Sequence, residues 1–163
     1  MNENGFSKWE KWEDRNTLSG IKYPGIYCIA LIERDISKND FSWIPEIAYI
    51  GMTNSKGGLK SRLKQFDNTI SWEEGHGGGC RFRKKYPIYP ELLAKLFVSV
   101  CPFECSVDSN IPEALRIMGD VAKFEYECIA TYAEKFNMLP EFNDKDRSHK
   151  SDENMKSLYS CKC

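Results

Sequence analysis

The chain has 163 residues, of which 41% are hydrophobic and 29% charged, and its formal net charge at pH 7 is −1. This length and composition predict a single domain with a packed core and a solvated surface. The apolar runs are too short to span a membrane, and the polar N-terminus lacks the apolar segment of a signal peptide. We therefore expect a cytoplasmic protein whose seven cysteines are reduced.

Three aromatic residues near the N-terminus, Phe6, Trp9 and Trp12, recur at helical spacing and predict a short helix that docks on the core. Two strands follow, "IYCIALIE" over 26–33 and "IAYIG" over 47–51, because both segments are rich in apolar and β-branched residues. We expect these strands to form an antiparallel hairpin with a long connection.

An amphipathic helix is predicted to begin after Gly58, since Leu59, Leu63 and Phe66 recur at steps of four and three. The segment that follows it, "EEGHGGGCRFRKKYPIYP", is rich in glycine. Such a composition predicts a mobile or tightly turning loop.

A third strand over 94–101 and a long helix over 111–136 complete the pattern of elements. Their succession predicts an α/β (α+β) fold, a small domain with a three-stranded, mainly antiparallel sheet flanked by helices. The domain boundaries that we predict are an N-terminal helical extension over 1–20, the sheet-containing domain over 21–140 and a polar C-terminal tail over 141–163.

Positive charge is concentrated between Lys56 and Lys85, where eight basic residues accompany three acidic ones. A basic region on a nearly neutral protein favours the binding of phosphate groups. A lysine-rich solvated surface would give the same pattern, so charge alone does not decide between these interpretations.

One carboxylate interrupts the apolar stripe of the long helix. Glu125 occupies a position that steps of three and four from the apolar residues would fill, whereas Glu127 lies on a solvated face. A core-facing carboxylate costs several kcal/mol unless it is paired or holds a metal. Glu125 therefore fits either a buried ion pair with an arginine or a divalent-metal site. The apolar stripe consists of Leu115, Met118, Ala122, Ile129, Tyr132 and Phe136.

Arg62 is the natural companion of Glu125. It lies next to Leu63 on the amphipathic helix predicted after Gly58, so it borders the apolar face of that helix. If the hairpin and both helices share one core, Arg62 and Glu125 border the same surface. An arginine fork matches phosphate oxygens, although solvation at the surface would also explain an arginine on an amphipathic helix.

These residues, together with the mirrored triplets "GIY" over 25–27 and "YIG" over 49–51, resemble the GIY-YIG nuclease superfamily. The resemblance rests on their order, with Arg62 eleven residues after the second triplet and Glu125 on a later helix. The block "YIGMTNSKGGLKSRLKQF" is similar to the family's second strand and first helix, and "FEYECIATYAEKFN" to its metal-binding helix. The resemblance covers about residues 21–140, and the long loop between the triplets is closer to the restriction-endonuclease branch.

The resemblance implies a metal-dependent DNA endonuclease that hydrolyses phosphodiester bonds. It implies Tyr27 as the general base, Arg62 on the phosphate and Glu125 as the ligand of Mg²⁺ or Mn²⁺. By the same resemblance, Tyr49 lines the site and hydrogen-bonds the phosphate or water. Asn137, twelve residues after Glu125, supports the site from the helix end.

Two positions depart from the family pattern. Met52 stands where many members carry a lysine soon after the second triplet, and Phe66 stands where many carry a histidine four residues after the arginine. Lys56 or Lys60 could supply the missing cation, and His76 the missing imidazole. These departures keep a second hypothesis open, that of a catalytically impaired nucleic-acid-binding module.

DNA is the partner that the resemblance implies, and the basic region suits it. Glycines there let backbone N–H groups approach phosphates, and the basic side chains add charge. The sequence leaves open whether two copies pair as a homodimer to cut both strands. The predicted DNA-contacting residues are Lys56, Lys60, Lys64, Arg81, Arg83, Lys84 and Lys85.

Overall fold

The computed structural model of the chain describes residues 5–73, 77–107 and 111–143. These residues form an α+β fold in which helices cover both faces of an antiparallel sheet. None of the described helices is long and apolar enough to cross a membrane. The strands of the described part are β1 (Glu10–Lys11), β2 (Gly25–Leu31), β3 (Ile47–Thr53) and β4 (Leu96–Pro102). The helices are α1 (Gly58–Ile70), α2 (Gly77–Lys85), α3 (Tyr89–Leu93) and α4 (Pro112–Phe136), with a 3₁₀ helix over Trp12–Thr17.

The sheet has the order β1-β4-β2-β3, and every neighbouring pair of strands is antiparallel. β2 and β3 form the predicted hairpin, in which Tyr27 lies opposite Gly51. β2 also pairs along its whole length with β4, so β2 lies inside the sheet and β3 lies at its edge. The prediction of three strands misses the short edge strand β1, which Glu10 and Lys11 add to β4.

The N-terminal segment packs its aromatic residues on the core, but not through the predicted helix. Ser7 donates its backbone N–H to Val100 O at 2.8 Å, so the chain follows the edge of β4 before β1 begins. Trp9 and Trp12 are both buried, and they belong to apolar clusters on opposite faces of the sheet. Pairing with an open strand edge satisfies the backbone groups here, and it prevails over the helical spacing of the aromatic residues.

The glycine-rich segment is helical where the structure describes it, in contrast to the predicted loop. α2 begins at Gly77 and packs against α1. A Cβ added to Gly79 would lie 2.9 Å from Thr69 Cβ and 3.2 Å from Phe66 O, closer than side chains normally approach. Glycine therefore lets the two helices meet closely, and this packing compensates for its low helix propensity.

Two apolar clusters lie on opposite faces of the sheet. One cluster joins the sheet to α1 and α2 and includes Tyr27, Leu63 and Phe66. The other joins the sheet to α4 and includes the strand residues Ile26 and Ile50. The bounds of α4 agree with the predicted helix to within one residue, and α1 begins within one residue of its predicted start. Because β3 is an edge strand, helices from both faces can bring side chains to its outer side.

The cysteines of the described residues differ in state. Cys28, Cys101, Cys105 and Cys128 form no disulfide bond. Cys80 is disulfide-bonded, so the prediction that every cysteine is reduced is wrong at this position.

Candidate active site

The mirrored triplets place two tyrosines against one glycine. Tyr27 on β2 lies opposite Gly51 on β3, and Tyr49 lies two residues before Gly51. The centroids of the two tyrosine rings are 6.0 Å apart, and the hydroxyl groups share a hydrogen bond. A Cβ added to Gly51 would lie 2.6 Å from the Tyr27 hydroxyl oxygen and 2.8 Å from Tyr49 Cε1. Glycine therefore leaves the room that both rings occupy.

Arg62 on α1 joins the tyrosine pair. Its guanidinium donates a hydrogen bond to the Tyr27 hydroxyl, and its charge also acts on Tyr49. α1 holds Arg62 in this place because its neighbours Leu63 and Phe66 are buried in the core. Within the described residues, the Nε–H of Arg62 is buried and has no hydrogen-bond acceptor. Such an unsatisfied buried donor is unusual in folded proteins and marks Arg62 as a candidate for a functional role.

Glu125 approaches the same place from α4, on the other face of the sheet. Its carboxylate accepts a hydrogen bond from the backbone N–H of Met52 on β3, and it lies near Arg62. Glu125 is half-buried, whereas Glu127 is exposed and forms an ion pair with Lys123 at 3.3 Å, one helical turn away. The two glutamates have the different environments that the apolar stripe predicts.

The outer edge of β3 is covered by a row of hydrogen bonds. Ala48 O accepts from the backbone N–H of Phe142 at 2.9 Å. Ile50 exchanges two hydrogen bonds with the side-chain amide of Asn143, each 2.8 Å long. Met52 N–H continues this row towards α4. The edge strand is therefore held in place on both sides of its tyrosine and its glycine.

Two residues at the ends of α4, Asn137 and Leu115, do not have the surroundings that were predicted for them. Asn137 is the C-cap residue of α4, with φ 53° and ψ 33°, and it lies about 18 Å along the helix from Glu125. The asparagine that contacts β3 is Asn143, which sequence reasoning missed because it lies in a polar segment without periodicity. Leu115 is 51% exposed while Ala114 is buried, so the buried stripe begins one residue earlier than predicted.

The predicted DNA-contacting lysines are mostly exposed. Lys60 and Lys64 lie one turn apart on α1, and Lys84 lies on α2. Lys56 is exposed in the connection before α1. His76, which was predicted to supply an imidazole, lies outside the described residues.

Two other basic residues of the predicted DNA surface are engaged within the protein. Arg83 is only 7% exposed, and its Nη1 donates to Thr69 O at 3.2 Å and to Glu73 O at 3.4 Å. It therefore ties α2 to the end of α1 instead of facing a ligand. Lys85 forms an ion pair with Glu141. We leave Arg83 and Lys85 out of the candidate DNA surface.

Burial and charge set the protonation states of the site. Burial raises the pKa of Tyr27 well above its ordinary value, and the charge and hydrogen bond of Arg62 oppose this rise. Burial also raises the pKa of Tyr49, again against the charge of Arg62. The pKa of Glu125 is raised by burial, and Arg62 and the Met52 N–H counteract this effect. Both tyrosines are therefore neutral at pH 7 in the free protein.

The carboxylate of Glu125 fits the role of a Mg²⁺ ligand. Mg²⁺ keeps several water ligands and commonly takes one or two carboxylates together with substrate phosphates. The described residues contain no group of three or more His, Cys, Asp or Glu side chains that could hold a metal by themselves. A metal at Glu125 would therefore take its other ligands from water and from a substrate phosphate. The raised pKa of Glu125 indicates that its negative charge is not fully compensated, which favours a nearby cation.

The site combines phenol groups that can exchange a proton, a guanidinium that carries a positive charge and a carboxylate that can bind a divalent cation. A phosphate group is a ligand that all three kinds of group can address. No protein-family model, curated protein or solved structure matches this chain.

Proposed function

We propose that this protein is a metal-dependent DNA endonuclease with a GIY-YIG-like domain. The observation that carries the proposal is the convergence of Tyr27, Tyr49, Arg62 and Glu125 at the edge of β3. These residues come from four different elements, and their chemistry suits hydrolysis of a phosphodiester. The order of the same residues in the chain is that of the GIY-YIG nucleases which the sequence resembles.

The hydrogen-bonded tyrosine pair is the proposed general base. Tyr27 has no exposed surface and Tyr49 is partly exposed, so water would reach the pair from the side of Tyr49. Because the two hydroxyl groups share a hydrogen bond, the pair loses its first proton as a unit, and this proton cannot be assigned to one tyrosine alone. Arg62 donates to Tyr27, and its positive charge favours the phenolate form.

In the proposed reaction, the oxygen of water attacks phosphorus while its proton passes to the tyrosinate. A P–O bond forms to the water oxygen, the P–O bond to one deoxyribose oxygen breaks, and that oxygen takes a proton from solvent. Arg62 binds a non-bridging phosphate oxygen through its guanidinium and stabilises the charge that builds there. Glu125 would hold Mg²⁺ or Mn²⁺, which would supply Lewis-acid polarisation of the phosphate.

Exposed lysines on α1 and α2 would bind the DNA backbone. Lys60 and Lys64 lie on the same helix as Arg62, and Lys84 lies on the neighbouring helix α2. Phosphate contacts of this kind position a duplex without reading its sequence. Since the net charge of the whole chain is only −1, binding depends on this local surface and should weaken with salt.

Cleavage of supercoiled plasmid and of a labelled DNA duplex, with Mg²⁺ or with EDTA, tests the proposal. The wild-type protein should cleave with Mg²⁺ and not with EDTA. Glu125→Ala should abolish cleavage, because it removes the carboxylate that the metal needs. Glu127→Ala is the matched control, since it removes a carboxylate from the exposed face of the same helix and should retain full activity.

Two results would argue against the proposal in different ways. Unchanged cleavage by Glu125→Ala would refute the assignment of the site. A wild-type protein that binds DNA but cleaves none of the substrates would favour the nucleic-acid-binding module instead.

A further inference from the structure

Arg81 lies on α2. The residue that follows it, Phe82, packs directly on the tyrosine pair. Phe82 contacts Tyr49 edge to face, with ring centroids 6.5 Å apart. The other side of Phe82 stacks on Phe142, with ring centroids 3.9 Å apart. The core contacts of Phe82 therefore fix the part of α2 that carries Arg81 next to β3.

One hydrogen bond holds the guanidinium of Arg81 at the edge of β3. Its Nη1 donates to Phe142 O, and the backbone N–H of Phe142 donates in turn to Ala48 O, next to Tyr49 in the chain. The charge of Arg81 opposes the rise that burial causes in the pKa of Tyr49. An arginine has five N–H donors, and within the described residues Phe142 O is the acceptor that holds Arg81. The half-buried guanidinium thus keeps donors for a ligand at a fixed position.

We propose that Arg81 binds a second phosphate group of the bound DNA strand, next to the phosphate held by Arg62. This inference rests on the proposed function and specifies how the site grips its substrate. The charges of Arg62 and Arg81 both reach Tyr49, one from α1 and the other from α2. Two guanidiniums on different helices therefore act on the partly exposed tyrosine, and each can bind phosphate oxygens through its planar fork.

Lys85 provides the comparison that separates phosphate binding from a structural role. It lies one turn after Arg81 on α2 and pairs with Glu141, the residue before the Phe142 that Arg81 holds. Both side chains thus attach α2 to the same short segment, and both carry one positive charge. The ammonium group of Lys85 lies over the Tyr86 ring, and its contacts are not with the tyrosine pair. Removing Lys85 therefore controls for lost charge and for a lost contact to this segment.

The inference is tested by measuring how the binding of a labelled DNA duplex depends on salt concentration. Binding is measured by fluorescence anisotropy in EDTA for the wild type, Arg81→Gln, Arg81→Lys and Lys85→Gln. Each phosphate contact contributes about 0.9 to the slope of log K against log salt concentration, measured from about 50 to 200 mM salt. Arg81→Gln should reduce this slope by about 0.9, because one contact is lost. Arg81→Lys keeps the charge and should keep the slope, and Lys85→Gln should bind like the wild type.

The outcomes separate this inference from the proposed function. A slope that is unchanged in Arg81→Gln, or that falls equally in Lys85→Gln, would overturn the Arg81 contact while leaving the endonuclease proposal in place. A slope that falls only in Arg81→Gln supports the contact, even if the wild type cleaves no DNA and the proposed hydrolysis fails. A wild type without salt-dependent DNA binding would overturn both.

Discussion

Gly51 is the position where one added methyl group should disturb the tyrosine pair most directly. A Cβ at this position would lie 2.6 Å from the Tyr27 hydroxyl oxygen, whereas ordinary contact begins at 3.4 Å. One of the groups must therefore move by about 0.8 Å. Tyr27 is fully buried, and its hydroxyl is held by Arg62, so a shift would strain the core and disturb the site together.

Overpacking of this kind typically costs about 1–3 kcal/mol of folding free energy, and a misplacement near 1 Å can lower a reaction rate about 100-fold. We therefore expect Gly51→Ala to lower the free energy of unfolding by about 1–3 kcal/mol. We expect it to lower the rate of DNA cleavage about 100-fold under conditions in which the variant is fully folded.

Gly119→Ala is the matched control for this substitution. A Cβ added to Gly119, inside α4, meets nothing within 4 Å among the described residues. It should raise stability by up to about 1 kcal/mol, because alanine is the better helix former, and leave cleavage unchanged. Urea denaturation and single-turnover cleavage measure both effects. A Gly51→Ala variant as stable and as active as the wild type would refute the close approach of the tyrosines to this glycine.

Three further outcomes follow from the charges and contacts of the structure. The cleavage rate should rise about tenfold per pH unit up to about pH 10, because the phenolate is the reactive form and burial raises the pKa of both tyrosines above the ordinary value. A flat pH–rate profile would contradict this prediction. Glu125→Gln should raise the free energy of unfolding at pH 7 in EDTA, because burial raises the pKa of Glu125 and so disfavours its charged form in the folded protein. This gain should vanish below about pH 4.3, where the glutamate is protonated in both states, and an equal gain at both pH values in urea denaturation would argue against it. Asp67→Ala should lower the free energy of unfolding by about 3 kcal/mol in the same assay. The substitution leaves the buried Trp12 Nε1–H without the acceptor that lies 2.6 Å away, and it also removes the Arg15 ion pair. A loss well below about 1 kcal/mol would show that water replaces the carboxylate.

The elements that were predicted correctly are those defined by local periodicity. α1 follows from the spacing of Leu59, Leu63 and Phe66, all of which are buried. The same reasoning on α4 separates Glu125 from Glu127, because a difference of two residues turns a side chain to the other side of a helix. Local pattern was sufficient wherever one face of an element packs on the core and the other is solvated.

The elements that were predicted wrongly depend on partners distant in the chain. Trp9 and Trp12 have helical spacing, but the open edge of β4 binds this segment instead. The glycines at the start of α2 predict a loop, because the sequence does not reveal that Gly79 packs closely on Thr69. Asn143 contacts Ile50, ninety-three residues earlier, and no local pattern marks it. Sequence periodicity carries no information about such contacts, because they arise only when the sheet has formed.

The most direct test of the proposed function is the single-turnover rate of DNA cleavage with Mg²⁺ for the wild type, Tyr27→Phe and Tyr126→Phe. Tyr126 is 74% exposed on α4, so its substitution controls for the loss of a tyrosine hydroxyl outside the buried pair. General bases contribute about 10²–10⁴ to a rate. We predict a loss of this size in Tyr27→Phe and none in Tyr126→Phe. A Tyr27→Phe variant that cleaves at the wild-type rate would contradict the assignment of the tyrosine pair as the base.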